Sequence, residues 1–335
     1  MDPSPAEYLS PAIVSTSLGA PDMYSIREKL EQAAENYFAG VEISFDEVDY
    51  PSEKDLFAAA ERIASLCRSL GLEIVAFGPF QRYEGLRDRV RHNAMIDILQ
   101  TQFSIAMALG ARMIIITANH LPQHELSEEF ILEDLKLISQ WGVDMGISIA
   151  YSFTCYSTII NRWWKAWEVV KLIDSPNFGL CLDTFQIAGG LGDDTSALSY
   201  NGTEESIRRT NSLNRMIEVV PPNRIFHLQV SSAVPFVDAS SPSHPWYTPR
   251  ETPLMSWSRH GKGFLFENPL GGDYSMEDLA KYIVLGSRYK GYISMEASIP
   301  AYEKGLDVPN YYASRARAAW ARFLGMLELT EKPNT

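Results

Sequence analysis

Eight times along this chain a short apolar run gives way to a segment whose apolar residues recur at helical spacing, and that alternation limits the fold more than any single motif. The runs are Ala12–Val14, Val41–Ile43, Leu72–Phe77, Met113–Thr117, Met145–Ala150, Phe178–Leu182, Ile225–Val230 and Gly291–Met295. The helical patterns between and after them cover Ser25–Tyr37, Pro51–Leu70, Asn93–Leu109, Glu128–Trp141, Arg162–Leu172, Glu204–Val219, Met276–Leu285 and Tyr311–Leu327. Gly71 and Gly110 supply helix stops, and Gly78-Pro79 is expected to end the third strand. Met113–Thr117 is rich in β-branched residues, as suits a strand covered on both sides. With no compositional break in 335 residues, the pattern predicts one α/β domain over 1–335, a closed (β/α)8 TIM barrel rather than an open doubly wound sheet.

A formal net charge of -13 argues against a nucleic-acid partner, because phosphate binding draws on positive charge. The basic run from Arg87 to His92 is interrupted by Asp88 and reads as a solvated helix face. Small anionic substrates stay compatible, since a local Arg can oppose the global field. Cys67, Cys155 and Cys181 have neither metal-ligand spacing nor the density of a disulfide framework, which suggests a reduced compartment. The first residues lack a signal-peptide pattern and no run nears bilayer-spanning length, so the expectation is a cytoplasmic protein without a membrane partner. A small molecule is the expected partner, with homo-oligomerisation left open. The Gly189-Gly190-Leu191-Gly192 stretch lacks dinucleotide-fingerprint spacing and reads as a flexible loop.

Three apolar runs end on an oxygen-bearing side chain: Asp183, Gln229 and Glu296. As ends of parallel strands they converge on one mouth, where they could hold a hard divalent cation. Ser152 occupies a fourth such position without a carboxylate. The proline- and serine-rich segment 231–262 is too long for an ordinary connection and is expected to be an active-site lid or substrate loop. Within it, Arg259 either clamps a substrate carboxylate bidentately or makes an ordinary loop salt bridge, and Trp257 is a substrate-contact candidate. Gln81 and Arg82, beyond strand three, are further anion contacts, and His120 is a substrate contact or a substitute ligand. For a general base the candidates are His227, which reads equally well as a core histidine, His260 and Glu42. Trp163, Trp164 and Trp167 read as helix packing.

The stretches Phe178–Gly189, Met255–Arg259, Pro79–Gly85 and Gly291–Glu296 make the chain similar to the xylose-isomerase-like barrels of sugar phosphate isomerases and epimerases. More closely, it resembles the fungal 3-dehydroshikimate dehydratases. That resemblance implies a lyase holding Mg²⁺ or Mn²⁺ through residues at strand ends, of which Asp183, Gln229 and Glu296 match the last three. The first should be a Glu in a Tyr-Glu-Ala-Leu-Cys-Trp-Ser-Thr-like stretch, but this chain has Ser152 there; near strand two it has Phe45 where the family tends to have His. A hydroxyl is a weaker ligand than a carboxylate, so the metal is either retained with water in the gap or dispensed with. The implied chemistry is acid–base enolisation of a small oxygenated substrate followed by loss of water, with Ser152 among the altered catalytic positions. A metal-independent isomerase or cyclase of specialised metabolism and a non-catalytic binding barrel are the alternatives.

Overall fold

The computed structural model describes residues 5–48, 53–191, 203–267, 275–299 and 307–328. Eight parallel strands close into a barrel: β1 (Leu9–Val14), β2 (Gly40–Ile43), β3 (Glu73–Gln81), β4 (Met113–Thr117), β5 (Ser148–Ser152), β6 (Phe178–Asp183), β7 (Ile225–Val230) and β10 (Gly291–Met295). Two short strands, β8 (Ser232–Ala233) and β9 (Lys262–Gly263), pair antiparallel outside it. The helices are α1 (Ile26–Glu35), α2 (Glu53–Leu70), α3 (Arg89–Leu109), α4 (Glu128–Met145), α5 (Trp163–Ile173), α6 (Thr184–Gly190), α7 (Thr203–Val219), α8 (Pro253–His260), α9 (Met276–Gly286) and α10 (Val308–Glu328). Pro51 and Gly192 lie outside the described residues. Among the described residues, no helix is long and apolar enough to cross a membrane.

Local chemistry sets the helix ends. Ser25 and Glu28 form a reciprocal capping box on α1, and Asp88 accepts from the Val90 and Arg91 amides, starting α3 earlier than the apolar spacing suggests. The fifth strand also differs from expectation. Met145 is the last residue of α4, ended by Gly146 at φ 69°, and the strand runs from Ser148 to Ser152. Gly78-Pro79 does not stop β3: the strand continues to Gln81 across a register shift between Phe77 and Phe80. Gly189 and Gly190 end helix α6 rather than lying in a loop. The basic run is only partly solvated, because His92 is buried against Asp134, to which Arg89 is also paired. Trp163 and Trp167 pack in the core as expected, while Trp164 is partly exposed.

The register places the site. Thr117, Ser152 and Cys181 stand level across β4, β5 and β6, while Asp183, Gln229 and Ser294 stand level across β6, β7 and β10. Two residues before the cavity-facing positions, Ala12, Ile115, Ala150 and Cys181 join a buried cluster separate from the larger core between strands and helices. Those side chains floor the mouth, and Ile115 among them reaches the cavity.

Behind strands β3 to β5, the wholly buried Glu84 accepts the Asn119 backbone amide at 2.6 Å and the Tyr151 hydroxyl at 3.4 Å through Oε1, while Oε2 has no partner among the described residues. Burial pushes its carboxyl up to about 8, against the pull of those hydrogen bonds. Between its ordinary value and about 8 the folded chain therefore keeps a proton that the unfolded chain has released, so this contribution to stability is lost as pH rises through that window. Urea melts should show Glu84→Gln more stable than the parent at pH 8 by roughly 4 kcal/mol, with the difference shrinking towards pH 5. A pH-independent difference would contradict a protonated Glu84.

Candidate functional site

At the C-terminal mouth of the barrel lies a polar cavity of about 210 Å³. Glu42, Ser152, Asp183, Gln229 and Glu296 line it, so the strand alternation does bring these positions together. Gln81, Arg259 and Lys262 also reach it.

Its lower layer is a hydrogen-bonded bridge across the barrel. Glu42 Oε1 accepts from Gln229 Nε2 at 2.8 Å, and Glu42 Oε2 lies 3.0 Å from His227 Nε2, which is also 2.9 Å from Ser294 Oγ. A buried carboxylate needs such partners, and they fix the Gln229 amide with its nitrogen towards Glu42. His227 is 1% exposed and sits outside the cavity lining, one strand layer below Gln229.

The upper layer holds a cation that sequence reasoning missed. Lys262 Nζ lies 2.8 Å from Asp183 Oδ2 and 2.6 Å from Glu296 Oε2, with the Phe185 ring centroid 5.6 Å away. Burial favours the neutral amine, but Asp183 and Glu296 outweigh it and hold Lys262 above the ordinary lysine range. Burial pushes the Glu296 carboxyl up to about 7 against the opposing pull of Lys262, and the Asp183 charge adds to the rise. Asp183 has a second task, since its Oδ1 accepts the Phe185 amide at 2.8 Å and caps α6. A signal existed in the sequence: two carboxylates beside neutral Ser152 and Gln229 require a cation, and the long loop ends at a lysine.

Segment 231–262 is ordered by its own base. Ser232 pairs with Gly263 and Ala233 with Lys262, the Ser298 amide donates to the Lys262 carbonyl at 3.0 Å, and Val234 donates to Gly261 at 2.9 Å. The α8 helix, capped by Thr252 with Pro253 in its first turn, buries Trp257 against Phe185 at a ring separation of 4.1 Å. Gln186 ties α6 to α8 through Ser258 at 2.8 Å.

The remaining candidates separate. Arg259 makes a salt bridge to Glu251 while still lining the cavity; its Nε and second terminal nitrogen have no protein partner among the described residues. Trp257 is fully buried, its indole nitrogen donating to Val234, which makes it a support for the loop rather than part of the lining. His260 stacks on Trp246, away from the cavity. Arg82 Nε donates to His120 Nε2 at 3.2 Å, so that nitrogen is an acceptor already in use; burial, then Arg82 and Arg259, lower His120 to about 4. Neither Arg82 nor His120 lines the cavity. Phe45 packs against Phe77.

A family model described as "Xylose isomerase-like TIM barrel" matches residues 30–319. The chain is 31% identical over 340 residues to a 3-dehydroshikimate dehydratase of Neurospora crassa, covering 95% of this chain and 94% of that protein. Among solved structures it is similar to a xylose isomerase-like TIM barrel/4-hydroxyphenylpyruvate dioxygenase fusion protein at TM-score 0.72 and 22% identity, covering 96% of this chain and 43% of that one. It is likewise similar to the IOLI protein, solved with a bound zinc atom, at TM-score 0.70 and 14% identity over 95% of this chain and 99% of that one.

The donors of this chain do not fit a divalent cation as they stand. Among the described residues no three His, Cys, Asp or Glu side chains are grouped to hold one. Asp183 and Glu296 both point an oxygen at the Lys262 ammonium, Ser152 brings no charge, and the Gln229 amide is engaged at both ends, its nitrogen donating to Glu42 and its oxygen accepting from the Cys181 thiol at 3.5 Å.

Proposed function

The chain belongs to the xylose isomerase-like TIM-barrel family, and we propose that it is a lyase of the 3-dehydroshikimate dehydratase type, acting by enolisation on a small cyclic hydroxy ketone that carries a carboxylate. The observation that carries this reading is the juxtaposition in one small cavity of the Glu296 carboxyl and the Arg259 guanidinium. The volume, below the roughly 300–1,000 Å³ of typical small-molecule sites, suits a compact polar substrate. An open, charged mouth also favours an enzyme over a silent binding barrel.

Arg259 takes the substrate carboxylate through the guanidinium N–H groups that Glu251 leaves over. Glu296 Oε1, which has no protein partner among the described residues while Oε2 holds Lys262, removes the proton next to the ketone. The C–H pair moves into the new C=C bond as the carbonyl pair shifts onto oxygen, giving an enolate. Its collapse re-forms the ketone and expels the β-hydroxyl, which leaves as water with the proton returned from Glu296. For 3-dehydroshikimate, one molecule of water is lost and tautomerisation then yields protocatechuate.

Incubation with 3-dehydroshikimate, followed by the ultraviolet absorbance of protocatechuate, tests the reading; turnover is expected, and none at any enzyme concentration would overturn it. Arg259→Ala should raise KM by about 10–100-fold with a smaller change in kcat, the pattern of an interaction made equally in ground and transition states. A KM unchanged in steady-state assays would assign the guanidinium to the loop salt bridge alone.

A further inference from the structure

The resemblance implies a divalent cation held at the strand ends; here a side chain of the protein occupies the space between two of those ends. Lys262 Nζ touches both Asp183 and Glu296, is 8% exposed, and has its backbone fixed by the Ala233 pairing and the Ser298 amide. The charges agree with that placement. A third carboxylate would be expected at position 152 around a doubly charged ion, whereas a singly charged ammonium between two carboxylates needs none, and Ser152 is what the chain carries. Gln229 also follows: its amide nitrogen donates to Glu42 and its oxygen accepts from the Cys181 thiol at 3.5 Å, so both ends of the amide are engaged within the protein.

We infer that Lys262 is the built-in cation of this site and takes the electrostatic place of a divalent metal, so that the protein works without one. An ammonium has three N–H donors, two of which are on Asp183 and Glu296. Lys262 lines the cavity, and its third N–H has no protein partner among the described residues. Resting on the dehydratase reading, that third donor is the group that meets the negative charge gathering on the ketone oxygen as the substrate C–H bond breaks. A fixed ammonium held by two carboxylates is already oriented before substrate arrives, which is the condition for effective electrostatic stabilisation. The lysine stays protonated throughout and forms no covalent bond.

The test begins with the wild-type chain and needs no substrate. After dialysis against chelator, titration with Mn²⁺, Mg²⁺ or Zn²⁺ is expected to give no calorimetric binding and no rise in melting temperature. Stoichiometric binding of any of them, with a raised melting temperature, would overturn the inference. Ser152→Glu combined with Lys262→Met restores a carboxylate and vacates the space, so this variant should gain Mn²⁺ binding in the same titration. A folded double variant, checked by circular dichroism, that still ignores Mn²⁺ would count against Lys262 as the occupant of a cation position. On 3-dehydroshikimate, chelator should leave wild-type turnover within about twofold, and Lys262→Met should lose on the order of 10²–10³-fold in kcat without rescue by Mn²⁺. Chelator-sensitive turnover restored by metal would overturn the inference, whereas absent turnover in the wild type would remove the dehydratase reading and leave the metal titrations to decide the role of Lys262.

Discussion

Glu296→Gln should lower kcat on 3-dehydroshikimate by about 10²–10⁴-fold while KM stays within about threefold. The substitution keeps the shape of the side chain and an oxygen for Lys262 Nζ, 2.6 Å away in the parent, but removes the basic pair that accepts the substrate proton. Binding through Arg259 is untouched, so the loss should appear in the chemical step. Single-turnover kinetics at saturating substrate would measure it directly. A rate within a few-fold of the parent would take Glu296 out of proton transfer and leave it as a holder of Lys262. Near-complete loss with a raised KM would indicate instead that the ammonium had moved.

The second large effect concerns stability and lies away from the mouth. Lys29, on the inner face of α1, is fully buried with its Nζ 2.6 Å from Glu47 Oε1 in the short turn after β2. Burial lowers the Lys29 pKa and raises that of Glu47, while each charge opposes the other's shift. Lys29→Met leaves a carboxyl in the core that must either ionise unpaired or hold a proton. The expected cost is about 3–5 kcal/mol, because removing one member of a buried pair strands the other. Urea unfolding should show it as a shifted midpoint. Lys29→Met with Glu47→Leu should recover most of that loss, since a well-packed apolar pair can match a buried ion pair. A single variant within about 1 kcal/mol of the parent would mean that water reaches Glu47 once the lysine is gone.

Much of the barrel is legible in the chain because its signals are local. Apolar runs such as Met113–Thr117 and Ile225–Val230 match the observed strands, and period-two alternation is enough to bring Asp183, Gln229 and Glu296 to one mouth. The shifts occur where two local readings compete. Met145 is apolar enough for a strand, yet α4 keeps its register through it until Gly146 supplies a left-handed cap. Gly78-Pro79 has the chemistry of a stop, yet a bulge lets β3 absorb it. Position also proved easier to read than partnership. Glu42 and Gln229 lie 187 residues apart and meet only because the barrel closes. Lys262 is harder still, because its place depends on α8 packing, on a two-residue ladder and on β10 together.

The closed base of the 231–262 segment divides the mouth into parts that can change at different rates. Lys262 belongs to the two-residue ladder and is held from the β10 side by Ser298, whereas Arg259 and the proline-rich stretch lie within the closed span. Insertions or exchanges in the exposed reaches of that span alter what the mouth admits without moving the ammonium from its two carboxylates. Descendants of such a chain can therefore drift in substrate preference while inheriting one fixed charge pattern, much as a lock can be rekeyed without replacing its bolt.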